Sequence, residues 1–266
     1  MSCKICSHEV AEFGTAIVLG QHTVRYYQCT ECGFVQTEES FWLDEAYSEA
    51  ITASDFGIAT RNLWMARITQ AIILTFFNSR SKFIDYGGGP GLLVRLMRDA
   101  AFYFYHADKY ASNVFARGFE ADEVGQQQYE LLTAFEVFEH LVEPYKEVEA
   151  MLRYAPSILF STLLMPTPAP ALDRWWYYGR EHGQHVALYS QRSLEVLAER
   201  LGVNFYTNGR SLHLLTAKQI SPRFFRLVAN YSSAALYSLL ALPRRLFLRQ
   251  TLPRAEYLRL IGPPQG

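Results

Sequence analysis

Beyond Cys32 the 266-residue sequence has no cysteine. Its thiol chemistry is confined to the N-terminal end, and no disulfide can staple the remainder. Long apolar runs are missing too: no stretch of about 18 uninterrupted apolar residues occurs, which argues against a membrane-spanning helix. The opening Met1-Ser2-Cys3-Lys4 is not followed by the apolar segment of a secretory signal, so a cytoplasmic location is the expectation. Internal repeats and low-complexity tracts are absent. Charge is scarce and balanced, with 19% charged residues and a net charge of -1. No whole-chain field therefore draws a polyanion such as RNA, and a nucleic-acid partner would need a local basic patch. What is plentiful is apolar surface, 50% of residues with 15% aromatic, enough for a substantial core. The length suits one α/β domain with small additions at either end.

The cysteines form two Cys-x-x-Cys pairs, Cys3 with Cys6 and Cys29 with Cys32. Each such pair makes a tight turn that aims two thiolates at one point, and two turns complete a tetrahedral four-sulfur shell for zinc. A saturated shell has no open position, so the role expected of the metal is structural. Gly33 follows the second pair, where a knuckle turn favours positive φ. Between the pairs AIVLGQHTVRYYQ (16–28) predicts a hairpin through Gly20. Free buried thiols or disulfides are the alternative, and His8 or His22 could replace one cysteine.

Residues 83–91 read FIDYGGGPG and are followed by LLVRLM: an apolar strand, a glycine-rich turn and an amphipathic helix, the order of a nucleotide-binding βα loop. Gly87, Gly89 and Gly91 allow close backbone approach to a ligand. Such a turn would also serve a nicotinamide cofactor. Two features narrow the choice. Asp85 stands two residues before the first glycine, and the next strand, AFYFYHA (101–107), ends in Asp108, one βαβ unit further on, where an acid meets ribose hydroxyls.

The apolar-Asp-x-Gly-x-Gly-x-Gly string resembles motif I of class I methyltransferases, and Asp108 is placed like their ribose-binding acid. LLTAFEVFEHL (131–141) resembles the fourth-strand motif of the same class, in its type 11, 12 or 23 branch. The resemblance implies an α/β, Rossmann-like fold with a seven-stranded, mostly parallel sheet and helices on both faces, preceded by a zinc-ribbon-like module. It implies S-adenosylmethionine as cofactor, with Asp85, Gly87, Gly88, Gly89 and Gly91 around the methionine part and Asp108 on the ribose. Phe135 and Glu136, at the carboxyl end of a strand, are expected in the same pocket. Glu139 and His140 either line it or open the next helix, where the dipole favours Glu139. The loop from Gly118 to Asp122 would sit beside the adenine, although GFEADEV departs from the usual short aspartate signature.

ILFSTLL (158–164) reads as a further core strand, followed by a proline-rich loop and the aromatic run Trp175, Trp176, Tyr177 and Tyr178. A helix capped by Ser190 and stopped at Gly202 comes next. Methyl transfer from a sulfonium draws on alignment of donor and acceptor, and an alcohol acceptor also needs a base, ordinarily histidine. His182 and His185 in EHGQH are the candidates. HGQHVALYS resembles the histidine-rich element of zinc-containing sugar C-methyltransferases, where a histidine removes the substrate proton. On that likeness His185 is the base, with Tyr189 and Glu181 as orienting partners; a structural role in fixing the loop is the alternative.

The expected organisation is a zinc module over 1–42, a methyltransferase domain over 43–217 with 43–80 as helical lead-in or lid, and a helical, basic-apolar extension over 218–266. Spacing over Asp55–Phe77 predicts a helix, and Tyr47 resembles tyrosines that close the pocket in related enzymes. The extension, with Arg244, Arg245, Arg249 and Arg254 among apolar residues, suits an anionic membrane surface, the body of the protein or a second copy in a homodimer. The leading function is methyl transfer to an oxygen or carbon of a small molecule, a sugar or nucleotide sugar. An RNA methyltransferase is disfavoured by the charge and by the lack of an Asn/Asp-Pro-Pro-aromatic string. A non-catalytic binding protein is the third reading.

Overall fold

The computed structural model describes residues 1–48, 57–121 and 129–230. Its strands and helices follow in chain order as β1 (Val10–Val18), β2 (His22–Cys29), β3 (Val35–Thr37), α1 (Leu43–Ala46) and α2 (Ile58–Phe76). Next come β4 (Lys82–Tyr86), α3 (Leu92–Asp99), β5 (Tyr103–Ala107), β6 (Leu131–Ala134), α4 (Pro144–Tyr154) and β7 (Ser157–Ser161). The series closes with β8 (Ala187–Leu188), α5 (Gln191–Leu201), β9 (Asn204–Thr207), β10 (Leu212–Thr216) and α6 (Pro222–Val228). Short 3-10 turns occupy Phe138–His140 and Trp176–Tyr178.

Six strands form a mostly parallel sheet in the order β5-β4-β6-β7-β10-β9. β4 pairs in parallel with β5 and β6, whereas β10 runs antiparallel to β7 and β9. Strands covered on both faces read as continuous apolar runs, and every residue of β6, β7 and β10 is buried. Among the described residues six strands form the sheet, where seven are expected. Beside β5 the described chain adds only a single parallel bridge, His106 to Glu120. β5 also begins two residues later than its apolar pattern suggests, because Ala101 takes φ 68° in ending α3, the left-handed turn usual after a helix.

The chain divides into two compact units, one of Met1–Phe56, Ala134–Arg153 and Ser157–Gln219 (unit 1), the other of Gly57–Thr133, Tyr154–Pro156 and Ile220–Gly266 (unit 2). In unit 2, Phe83 stacks on Phe104 at 5.2 Å between ring centres. The buried Arg98 donates to the Phe104 carbonyl at 2.6 Å and lies 3.5 Å over the Phe119 ring. Helix α2 buries Ile68, Ala71, Ile72 and Ile73 and packs against α3 and α6, so it belongs to this unit's core.

In unit 1 a second sheet runs β1-β2-β3-β8. β1 and β2 form the expected hairpin, longer than its apolar stretch by the residues from Val10. The fourth strand comes from far along the chain, Val35 and Gln36 pairing with Leu188 and Ala187. Under this sheet Val24, Tyr26, Trp42, Tyr177, Tyr178 and Leu188 share one apolar cluster. Helix α5 has its expected caps: Ser190 accepts from the Ser193 amide, and Gly202 ends it at φ 69°. Of the basic-apolar extension expected over 218–266, the structure describes the part through residue 230, with α6 in it, and residues 231–266 lie outside the described residues. Among the described residues no helix is long and apolar enough to cross a membrane.

Candidate active site and cysteine centre

The two cysteine turns of unit 1 repeat one backbone pattern. The Cys3 amide donates to the His8 carbonyl at 2.8 Å and the Ser7 amide to the Cys3 carbonyl at 2.9 Å. In the second turn Cys29 donates to Phe34 at 2.8 Å and Gly33 to Cys29 at 3.0 Å. The residue after each pair is left-handed, φ 66° at Ser7 and 71° at Gly33. The sulfurs of Cys3 and Cys32 lie 3.6 Å apart, Cys6 and Cys29 3.4 Å, Cys6 and Cys32 3.6 Å. Tetrahedral zinc with bonds of about 2.3 Å sets its sulfurs about 3.8 Å apart, so this donor set fits such an ion in spacing and in chemistry. The contact between the Cys3 and Cys32 sulfurs lowers Cys3 to about 5 and raises Cys32. Burial pushes Cys6 up to about 11.

In unit 2 the loop after β4 is held from both sides at Gly89. Its amide donates to Asp108 Oδ2 and its carbonyl faces His106 Nε2, both at 2.8 Å. A Cβ added at Gly88 would stand 2.6 Å from Asp85 Oδ2 and 3.1 Å from the His106 ring, so the loop lies flat against its own strand there. At Gly89, with φ 54°, such a Cβ would meet nothing within 4 Å. The loop is thus closed on the protein side and open on the other. Asp108 Oδ1 accepts from the Tyr110 and Ala111 amides at 2.7 Å each. A carboxylate offers about four acceptor positions, so the three amides leave one for a ligand.

Asp85 is buried beneath this loop and accepts from Thr133 Oγ1 at 2.6 Å. Burial, opposed by the Thr133 hydrogen bond and reinforced by the charge of Asp108, pushes its pKa up from 3.8 to about 7. A carboxyl raised on folding stabilises the fold fully below its unfolded pKa and loses that contribution as pH climbs towards and through the folded value. Wild-type protein is therefore expected to lose stability relative to Asp85→Asn between pH 4 and 8. The relative change is on the order of 2–4 kcal/mol at 1.36 kcal/mol per pKa unit. Urea unfolding at pH 5 and pH 8 measures it, and parallel curves for the two proteins would refute the assignment.

Unit 1 contains a second cluster of titratable groups. After β6 the chain turns at Glu136, held at φ 55° although it is not glycine, a conformation costing roughly 1–2 kcal/mol. Ser161 secures it, accepting from the Glu136 amide at 2.8 Å and donating to its Oε1 at 2.6 Å. The following 3-10 turn brings Glu139 into the interior, 0% exposed, with neither carboxylate oxygen in a hydrogen bond of ordinary geometry. Burial and the Glu136 charge push Glu139 up to about 8, against a smaller pull from the nearby Tyr177 and Thr162 hydroxyls. His140 Nδ1 lies 2.9 Å from the Tyr47 hydroxyl. His185 Nδ1 lies 2.6 Å from the Tyr177 carbonyl. That carbonyl can only accept, so Nδ1 carries the proton and Nε2 keeps its lone pair. Burial lowers both histidines, His140 to about 4.

The methyltransferase-domain family model matches residues 60–207. That span covers the glycine loop, Asp108, the Glu139 turn and EHGQH. The chain belongs to the methyltransferase-domain family. It is an S-adenosylmethionine-dependent methyltransferase. Among curated proteins none matches the sequence. Among solved structures, a methyltransferase in complex with the Haloferax volcanii Trm112 activator is similar at 12% identity and TM-score 0.48, over 68% of this chain and 97% of that one. Magnesium protoporphyrin IX methyltransferase from Synechocystis PCC 6803, with bound S-adenosylhomocysteine, has 11% identity and TM-score 0.40 over 66% and 95%. TnmH has 14% identity and TM-score 0.40 over 60% of this chain, which spans only 57% of TnmH.

In unit 2 of the methyltransferase, Asp85, Gly87, Gly88, Gly89, Gly91 and Asp108 stand on one loop and the two strand ends that hold it. In unit 1, the rings of His182 and His185 meet edge-on at 4.6 Å, and His182 Nδ1 accepts from the Gln184 amide at 3.2 Å. Phe135 is half-buried and Glu136 exposed. Tyr189 departs from the catalytic or orienting role expected of it. Its hydroxyl is fully buried and donates to the Phe138 carbonyl at 2.9 Å, so it positions the 3-10 turn instead. Glu181 is exposed. The sequence pattern does not reveal Thr133, His106, Ser161 or Tyr177 as supporting residues. Each lies in a segment read only as strand, motif or aromatic run, and acquires its partner only when the chain folds.

Proposed function

We propose that this methyltransferase moves a methyl group to an oxygen or carbon of a small-molecule acceptor, a sugar or nucleotide sugar. The carrying observation is the loop at Gly89, pinned by Asp108 and His106 and open on its other side. When bound, the cofactor supplies an electrophilic methyl on a sulfonium. Gly87, Gly88, Gly89 and Gly91 provide the backbone it lies along, Asp85 supports that backbone from beneath, and Asp108 has one acceptor position left for a ribose hydroxyl. Phe135 and Glu136 are retained as further cofactor contacts, and the strained backbone at Glu136 supports a functional demand there. Zinc on Cys3, Cys6, Cys29 and Cys32 is structural in this reading.

His185 is the group that draws the acceptor's proton, because its Nδ1 proton is committed to Tyr177 and its Nε2 lone pair is unspent. His182 abuts it and serves as its neighbour in the loop. General-base groups contribute roughly 10²–10⁴-fold, so His185→Ala is expected to lower turnover by about 100-fold or more while leaving S-adenosylhomocysteine affinity within about twofold. Turnover at half the wild-type level on the same acceptor would remove the assignment. The acceptor class is tested by calorimetry with the cofactor followed by a screen of nucleotide sugars and RNA. Cofactor binding with transfer to a nucleotide sugar supports the reading, transfer to RNA alone replaces it, and no cofactor binding refutes it.

A further inference from the structure

The buried carboxylate of Glu139 is the most unusual group in unit 1. A carboxylate taken out of water without hydrogen bonds is costly, and native proteins pair such groups or place them on a metal. Two imidazoles accompany it. One ligand atom from each of Glu139, His140 and His185 can be chosen so that all lie within 4.8 Å of one another. Three donors bonded to one ion at about 2.1 Å stand roughly 3.0–3.6 Å apart, so a contraction of up to about 1–2 Å closes the set.

The histidines are oriented as ligands are. A metal-binding histidine engages its second ring nitrogen with a carbonyl, carboxylate or other polar partner, which fixes the ring and directs the remaining lone pair. His185 does this through the Tyr177 carbonyl at 2.6 Å and His140 through the Tyr47 hydroxyl at 2.9 Å. In His185 Nδ1 carries the proton given to the carbonyl, and Nε2 is left with its lone pair for an ion. Tyr47, His140, Tyr177 and His185 all belong to unit 1, as does Glu139.

We propose that Glu139, His140 and His185 form a divalent-metal site, separate from the four-cysteine centre, that takes a first-row transition ion. One carboxylate with two imidazoles suits manganese, iron, cobalt or zinc, whereas calcium and magnesium prefer oxygen ligands throughout. Three protein ligands leave coordination positions for oxygen atoms of an acceptor. This last role rests on the methyltransferase reading and refines the part of His185. With an ion bound its lone pair is committed, so it acts on the acceptor through the ion.

The test uses the full chain, with zinc on its cysteines, titrated with Mn²⁺ alone and followed by the paramagnetic resonance signal of free Mn²⁺. Manganese competes poorly for a four-thiolate site. One ion bound per chain is expected, and Glu139→Gln and His185→Asn should each weaken binding by about tenfold or more. Zinc content, circular dichroism and S-adenosylhomocysteine affinity should stay at wild-type values, which shows that the variants are folded. A wild-type chain that leaves Mn²⁺ free at millimolar concentration, or variants that bind it as well as wild type, would overturn the site. Failure of the wild-type chain to bind S-adenosylhomocysteine strikes the methyltransferase reading instead, and the Mn²⁺ titration still decides the metal site.

Discussion

Protein purified without chelator is expected to carry one zinc per chain, and Cys29→Ser is expected to lose that metal and melt at least about 10 °C lower. Structural zinc in small peptides contributes about 10–16 kcal/mol, while a whole domain is stable by only about 5–15 kcal/mol. Loss of even a third of the metal's contribution is therefore a large effect, at roughly 2–4 °C per kcal/mol for a chain of this size. The four-cysteine end is not an isolated appendage within unit 1. Ser190 Oγ, which caps α5, donates to the Cys32 carbonyl at 2.6 Å. The Arg200 guanidinium donates to the Ile5 carbonyl, and β3 pairs with β8. Release of the sulfurs should accordingly loosen α5 and β8, seen as faster amide exchange there. Metal-free protein with an unchanged melting temperature would dismiss the structural zinc.

Gly89→Ala should bind S-adenosylhomocysteine at least about tenfold more weakly than wild type, a loss of affinity beyond the roughly 1–2 kcal/mol of stability that its backbone costs. The added methyl meets nothing within 4 Å, so in the free protein it costs only the left-handed backbone, roughly 1–2 kcal/mol. Its methyl would instead enter the open side of the loop, where the cofactor is proposed to lie. Gly88→Ala is the converse. Its methyl would be driven into Asp85 Oδ2 at 2.6 Å, and overpacking of that kind costs about 1–3 kcal/mol before any ligand is present. Calorimetry and thermal melting on the two variants separate the effects. Equal affinity losses with equal stability losses would show that the open side of Gly89 is not where the ligand binds.

Much of the architecture is legible from local pattern. The two Cys-x-x-Cys pairs announce two turns facing one point, and the repeated backbone bonds at Cys3 and Cys29 follow from that spacing. The string at Asp85 fixes a strand, a tight turn and a helix. Ser190 and Gly202 mark the ends of α5 because a side-chain oxygen and a left-handed glycine satisfy groups that a helix leaves open. Other features are not written locally. Among the described residues the sheet has six strands where seven are expected, with a single bridge from His106 to Glu120 beside β5, and apolar content cannot show how many ladder bonds a segment makes. Tyr189 reads as a loop tyrosine but is spent on Phe138, a residue some fifty positions earlier.

The sequence by itself determined the two cysteine pairs, the glycine loop with its two acids and the periodicity that separates strands from helices, since spacing and backbone sterics act over a few residues. Only the tertiary structure decided that Asp108 gives three acceptor positions to backbone amides, that Glu136 is held at positive φ, and that Glu139 is buried beside His140 and His185. Burial and hydrogen-bond pairing are set by segments distant along the chain, so desolvation, the force that raises Asp85 and Glu139, has no signature in the order of residues.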